Sequence, residues 1–166
     1  MNHHHHGRVG SVGRSVLASV VAGTAGTAAL NTVSYLDMVV RGRPASAVPG
    51  RVATGITDAV GIGLGEGSRK DNRGDAIGAL LGTFTGVSVA VCYGLARRLT
   101  GRLPVLPTGL AVGATAMAAS DVPAAATGAT SPARWGWVGW LADIAPHVAY
   151  GLVTVTVHNS LSGQRS

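Results

Sequence analysis

The sequence predicts an all-α fold: an integral membrane bundle of four transmembrane helices with a long, partly amphipathic first loop. Three observations carry that expectation. Charge is scarce, four uncharged runs are long enough to cross a bilayer, and arginines stand between those runs. Only 12% of the 166 residues are charged, against about 25% in a typical soluble domain. The hydrophobic share of 46% is ordinary, so the anomaly is missing charge rather than added apolar residues. A soluble domain of this length would lack the residues to build a charged shell.

The chain opens with MNHHHHG. Residues 1–14 are expected to form a disordered, His-rich tail, whether an expression tag or a native segment, and carry no fold argument. The first span, about 15–37, reads SVLASVVAGTAGTAALNTVSYL and is bracketed by Arg14 and Asp37. Ala45-Ser46-Ala47 resembles a signal-peptidase site, but Asp37, Arg41 and Arg43 separate it from the apolar core, which favours a retained helix.

The loop that follows holds two prolines, many glycines and mixed charge. Ile56, Ala59, Val60, Gly63 and Leu64 could line one face of a short surface helix, and a plain loop is an equal alternative. Gly61-Ile62-Gly63-Leu64-Gly65 loosely suggests a phosphate loop, yet lacks the following Lys-Ser/Thr and a preceding strand.

The second span, about 75–97, contains AIGALLGTFTGVSVAVCYGLA and ends at Arg97. The third, about 104–122, runs from Pro104 to Asp121, with Pro123 expected to break it. The fourth, about 136–158, begins in the tryptophan cluster RWGWVGW, where amphipathic rings suit a headgroup boundary. Each run approaches the ~20 residues that cross about 30 Å of hydrocarbon. Residues 15–160 thus form the membrane domain and 161–166 a C-terminal tail. Arginines are divided almost evenly between the two sets of loops, so the positive-inside rule gives no orientation.

The net charge of +6 raises nucleic-acid binding. The basic residues flank apolar runs instead of clustering with aromatic readers, so no nucleic acid is expected as partner. Cys92 is the single cysteine, which excludes an intrachain disulfide and a multi-cysteine zinc site. No metal-ligand pattern, nucleophile elbow or Ser-His-Asp order is present, and no cofactor, metal or enzymatic activity is expected.

The second span carries a four-residue repeat of tiny residues: Gly74, Gly78, Gly82, Gly86, Ala90 and Gly94. In lipid, close backbone packing replaces hydrophobic burial as the force that joins helices, and small-xxx-small rows serve it. A spacing of four drifts by about 40° per step, so so long a row implies several neighbours. The first span has a similar row, Ser15, Ser19, Gly23, Thr27 and Asn31, and the two are expected to pack together. Packing within one chain and self-association are both open, which leaves room for a homo-oligomer or a membrane-protein partner besides the lipid bilayer.

Ionisable groups inside a span are functional candidates by default. Asp143 and His147 share a face of the fourth span, about 9 and 15 Å below Trp137. Alternating topology brings Asn31, Tyr35, Asp37 and Asp121 into the same half of the membrane. His158 and Asn159 are expected to form an interfacial helix end. An Asp–His pair can relay protons or bind a cation; equally, it can be a buried hydrogen bond that fixes helix register.

The segment DIAPHVAYG resembles the acidic-xxx-His-hydrophobic-aromatic signature in the last helix of YagU-like inner-membrane proteins. The order of features is similar as well: a glycine-rich first helix, the basic loop RGRPASAVP, a second helix ending in VAVCYGLARR, and a small-residue third helix. The sequence departs from that pattern with Asp143 in place of Glu and with Pro146 before the histidine. The resemblance implies a four-helix inner-membrane protein and points to Asp143 and His147 without assigning an activity. The leading expectation is therefore a multi-pass protein of the cell membrane, a non-enzymatic structural or accessory component packing through Gly/Ala faces. The alternative is a proton- or cation-handling protein that uses Asp143 and His147, and a small-ligand or lipid site in the polar half is a third reading.

Overall fold

A computed structural model describes residues 3–162, with side chains from Val12 onward. Five helices follow in order: α1 (His3–Arg41), α2 (Val48–Ala59), α3 (Ser68–Thr100), α4 (Val105–Ala126) and α5 (Gly136–Ser162). A single 3-10 turn, Pro132–Arg134, precedes α5, and no strand occurs among the described residues. All helices but α2 are long and apolar enough to cross a membrane. The fold is therefore all-helical with four candidate spans, as the charge pattern predicted.

Several boundaries differ from the sequence reading. Helix α1 begins at His3, so the described part of the expected tail continues the helix. Helix α3 has 33 residues and is about 50 Å long, well beyond the ~30 Å of hydrocarbon. Its first turns carry Arg69, Lys70, Asp71, Arg73 and Asp75, which belong in water. Helix α4 passes through Pro123 and ends at Ala126. Proline's fixed φ is helical, and near a helix end it removes a single backbone bond, so the expected break does not occur.

The short helix in the first loop exists but lies earlier than expected. Pro49 occupies its first turn, where a missing N–H costs nothing. Gly61, at φ +75°, turns the chain away after Ala59. Its buried face is Gly50, Ala53 and Thr57, whereas Ile56 and Val60 are exposed. The apolar face expected at 56–64 is therefore corrected, except that Leu64 is buried just beyond the helix. The cause is steric: α2 sits so close to α3 that small residues alone fit between them.

Helix α5 packs against α1 and α4, α1 against α3, and α2 against α3. The interior is built from small side chains: among the described residues, five of the nine buried hydrophobic ones are alanine (Ala22, Ala53, Ala90, Ala116 and Ala124). Larger apolar groups point outward, with Phe84 71%, Leu80 69% and Leu17 65% exposed. Water-soluble monomers rarely expose apolar surface on this scale, and lipid would cover it.

The small-residue row of α3 divides in two. Gly74 and Gly78 face α2: a Cβ at Gly78 would stand 2.6 Å from the Pro49 carbonyl carbon. Gly86, Ala90 and Gly94 face α1 and α5, and a Cβ at Gly23 would lie 2.7 Å from the Ala90 Cβ. Gly82, between the two groups, is exposed and meets nothing within 4 Å. The drift of the row carries this one position out of both contacts. Gly82→Ala should therefore raise stability by about 0.5–1 kcal/mol, the helix-propensity gain with no steric loss. A rise in the midpoint of denaturant unfolding in detergent micelles checks it.

Candidate functional site

The polar centre of the molecule forms where α4 and α5 meet. Gly109 and Gly113 of α4 face Gly151 of α5 so closely that a Cβ on Gly151 would lie 2.5 Å from the Gly113 nitrogen. This approach brings the last turns of α4 alongside the first turns of α5. Asp121 then lies about 8 Å from the end of α4, and Asp143 about 10 Å from the start of α5.

The carboxyl of Asp121 stands in hydrogen-bond reach of the Asp143 carboxyl and of the Ser120 hydroxyl. A hydrogen bond between two carboxyls needs a proton on one of them. Asp143 Oδ2 is buried and has no other hydrogen-bond partner among the described residues. Its Oδ1 lies 3.4 Å from His147 Nδ1. The same Nδ1 stands 2.8 Å from the Asp143 main-chain oxygen. A carbonyl oxygen only accepts, so Nδ1 carries a hydrogen, and in the neutral ring the free lone pair belongs to Nε2. Pro146 is buried within the same turn and interrupts the backbone ladder next to this bond.

The expected site is thus assembled in part. Asp121, Asp143 and His147 come together from two helices. Asn31 and Tyr35 of α1 do not join them: Asn31 is exposed, Tyr35 is 59% exposed, and no hydrogen bond links either to the trio. Asp37 pairs with Arg41 and Arg43, each at 2.6 Å, and so serves the end of α1. The tryptophans mark the same side. Trp135 donates to the Thr130 hydroxyl at 2.8 Å and lies 5.2 Å from the Trp140 ring, while Trp137 projects outward.

A second polar cluster escaped the sequence reading, which placed His158 and Asn159 at an interfacial helix end. His158 is only 1% exposed. It packs edge-on against Tyr93, with ring centroids 5.2 Å apart, and fills the space left by Gly94. Its Nδ1 is 3.4 Å from the Ser162 hydroxyl, whereas its Nε2 is buried without a partner, as are Arg97 Nε and Asn159 Oδ1. The signal was available in the spacing, because His158 lies eleven residues, about three helical turns, beyond His147 and so falls on the same face of the helix.

A groove of about 480 Å³ between α2 and α3 is lined by Arg51, Asp58, Lys70, Asp71 and Asp75 among others. Its charges are mixed, and Lys70 bridges Asp58 at 3.2 Å. No group of three or more His, Cys, Asp or Glu among the described residues is arranged to hold a metal ion. No family model, curated protein or solved structure matches the chain.

Proposed function

We propose that the chain is a multi-pass protein of the cell membrane whose α4–α5 pair takes up and passes on a proton or small monovalent cation at Asp121, Asp143 and His147. One observation carries the reading. Two carboxyl groups from neighbouring helices face each other at the depth of the apolar spans, and the inner oxygen of Asp143 has no donor of its own. Two like charges so placed cannot both persist, so the pair holds an exchangeable positive ion, most simply a proton. An asparagine or serine would fix helix register without that consequence. The ring of His147, one turn deeper, offers a basic nitrogen to receive the proton.

The test is flux into liposomes that contain a pH-sensitive dye under an imposed pH gradient. Acidification above that of empty liposomes is expected from the wild type, with a loss of at least tenfold in Asp143→Asn and in His147→Ala. Wild-type protein that is correctly folded and passes neither protons nor Na⁺ or K⁺ would sink the reading. That result would favour the packing role instead, which the backbone approach of Gly109 and Gly113 to Gly151 supports. In that role the outward Phe84 and Leu80 would meet lipid, a second copy or a membrane partner.

A further inference from the structure

The trio is one end of a longer row. On the inner side of α5, Asp143, His147, Tyr150, Thr154 and His158 follow at steps of four, three, four and four residues. Those steps keep them on one face. The row spans fifteen residue-to-residue rises and therefore about 22 Å, most of the hydrocarbon thickness. Tyr150, Thr154 and His158 are each no more than 1% exposed, and Thr154 Oγ1 and His158 Nε2 are buried without partners. The bundle makes room for these groups with glycine. Gly26 faces Thr154 and Tyr150, Gly86 faces Tyr150, and Gly94 faces His158. Unpartnered polar atoms at this depth are costly in lipid.

Resting on the proposed function above, we infer that the ion handled is the proton, that its path runs along this face of α5 between the Asp121–Asp143 pair and His158, and that it opens beside Arg97 and Asn159 at the His158 end. Each step is a plain transfer. A proton entering at His158 forms an N–H at Nε2 and is released again from that nitrogen, and each hydroxyl of Thr154 and Tyr150 accepts one proton as it releases its own. An N–H then forms on His147 Nε2, and the imidazolium breaks its Nδ1–H bond as an O–H forms on the Asp143 carboxylate, whose Oδ1 lies 3.4 Å away. The proton that the pair already held leaves from Asp121, and a flip of the His147 ring restores its starting tautomer. Successive groups lie about one turn apart, a gap that a single water can bridge. Tyr150 now donates to the Gly86 carbonyl across α3 and α5, and Thr154 stands beside its hydroxyl.

The far end selects against metal cations. His158 is faced by Tyr93 and Arg97 from α3, by Ser19 from α1 and by Ser162 from its own helix. The guanidinium of Arg97 is the fixed charge among these, and it repels a second bare cation. A proton moves by bond exchange and needs no cavity wide enough for a metal cation, so it meets this charge only on the imidazolium of His158.

The liposome assay tests this with His158→Phe, which keeps a ring against Tyr93, and with His158→Gln, which keeps a polar side chain should the phenyl ring disturb the fold. The expected result is a loss of proton flux of at least tenfold in both, with helicity by circular dichroism unchanged, and no Na⁺ or K⁺ flux in the wild type. Wild-type proton flux that Asp143→Asn abolishes and His158→Gln leaves intact overturns the path while the proposed site stands. Na⁺ or K⁺ flux equal to the proton flux overturns the selectivity. No wild-type flux of any ion overturns both the path and the reading on which it rests.

Discussion

Gly151→Ala is expected to lower the stability of the bundle by about 2–3 kcal/mol, the upper range for overpacking. The reason lies in backbone, which has no rotamer to give way. The new Cβ would lie 2.5 Å from the Gly113 nitrogen and 2.9 Å from the Gly113 Cα, and it would overlap the Gly109 carbonyl oxygen. Helices α4 and α5 must separate to admit it. The same substitution at Gly82, which meets nothing within 4 Å, should stabilise instead. Comparing unfolding midpoints of both variants in one detergent therefore separates packing from helix propensity, since propensity alone would move both in the same direction. Equal and positive shifts would show that α4 and α5 do not touch at Gly151.

Asp121→Asn is expected to abolish proton flux, by at least tenfold, while the protein stays folded. The amide fills the same space and donates to the Asp143 carboxyl, so the hydrogen bond across α4 and α5 survives. What disappears is the shared proton: an amide keeps its hydrogens, and Asp143 is left with a fixed donor. Flux in reconstituted liposomes, read beside the unfolding midpoint, checks both halves of the expectation. Unchanged flux would remove Asp121 from the path. Lost flux together with lost stability would make it a structural residue.

Much of this was legible in the sequence because charge and apolar length report depth in a membrane. Those two signals place the four spans, and counting along alternating helices brings Asp121 to the level of Asp143. Depth alone does not give rotation about the helix axis, however. Asn31 and Tyr35 stand at a suitable level yet face outward, because the small residues Ala22, Gly23 and Gly26 decide which side of α1 turns inward. His158 was misplaced for the converse reason. Its nearness to the chain end suggested an interface, while Gly94 across the gap, which admits the ring, is a tertiary fact. The register of α2 depended likewise on Gly74 and Gly78 of a different helix, and hydropathy within the loop could not supply it.

The length of α3 has a mechanical consequence. One unbroken helix touches Tyr150 through Gly86 and carries α2 on Gly74 and Gly78. The two points are about 18 Å apart, so a tilt of about 5° pivoting at Gly86 would carry α2 sideways by about 1.5 Å. In the proposed membrane setting the helix would be a lever with its fulcrum at the polar row and its other arm outside the lipid. A rearrangement of Tyr150 during ion passage would reach the aqueous surface as a displacement of α2, where another protein could sense it without entering the membrane.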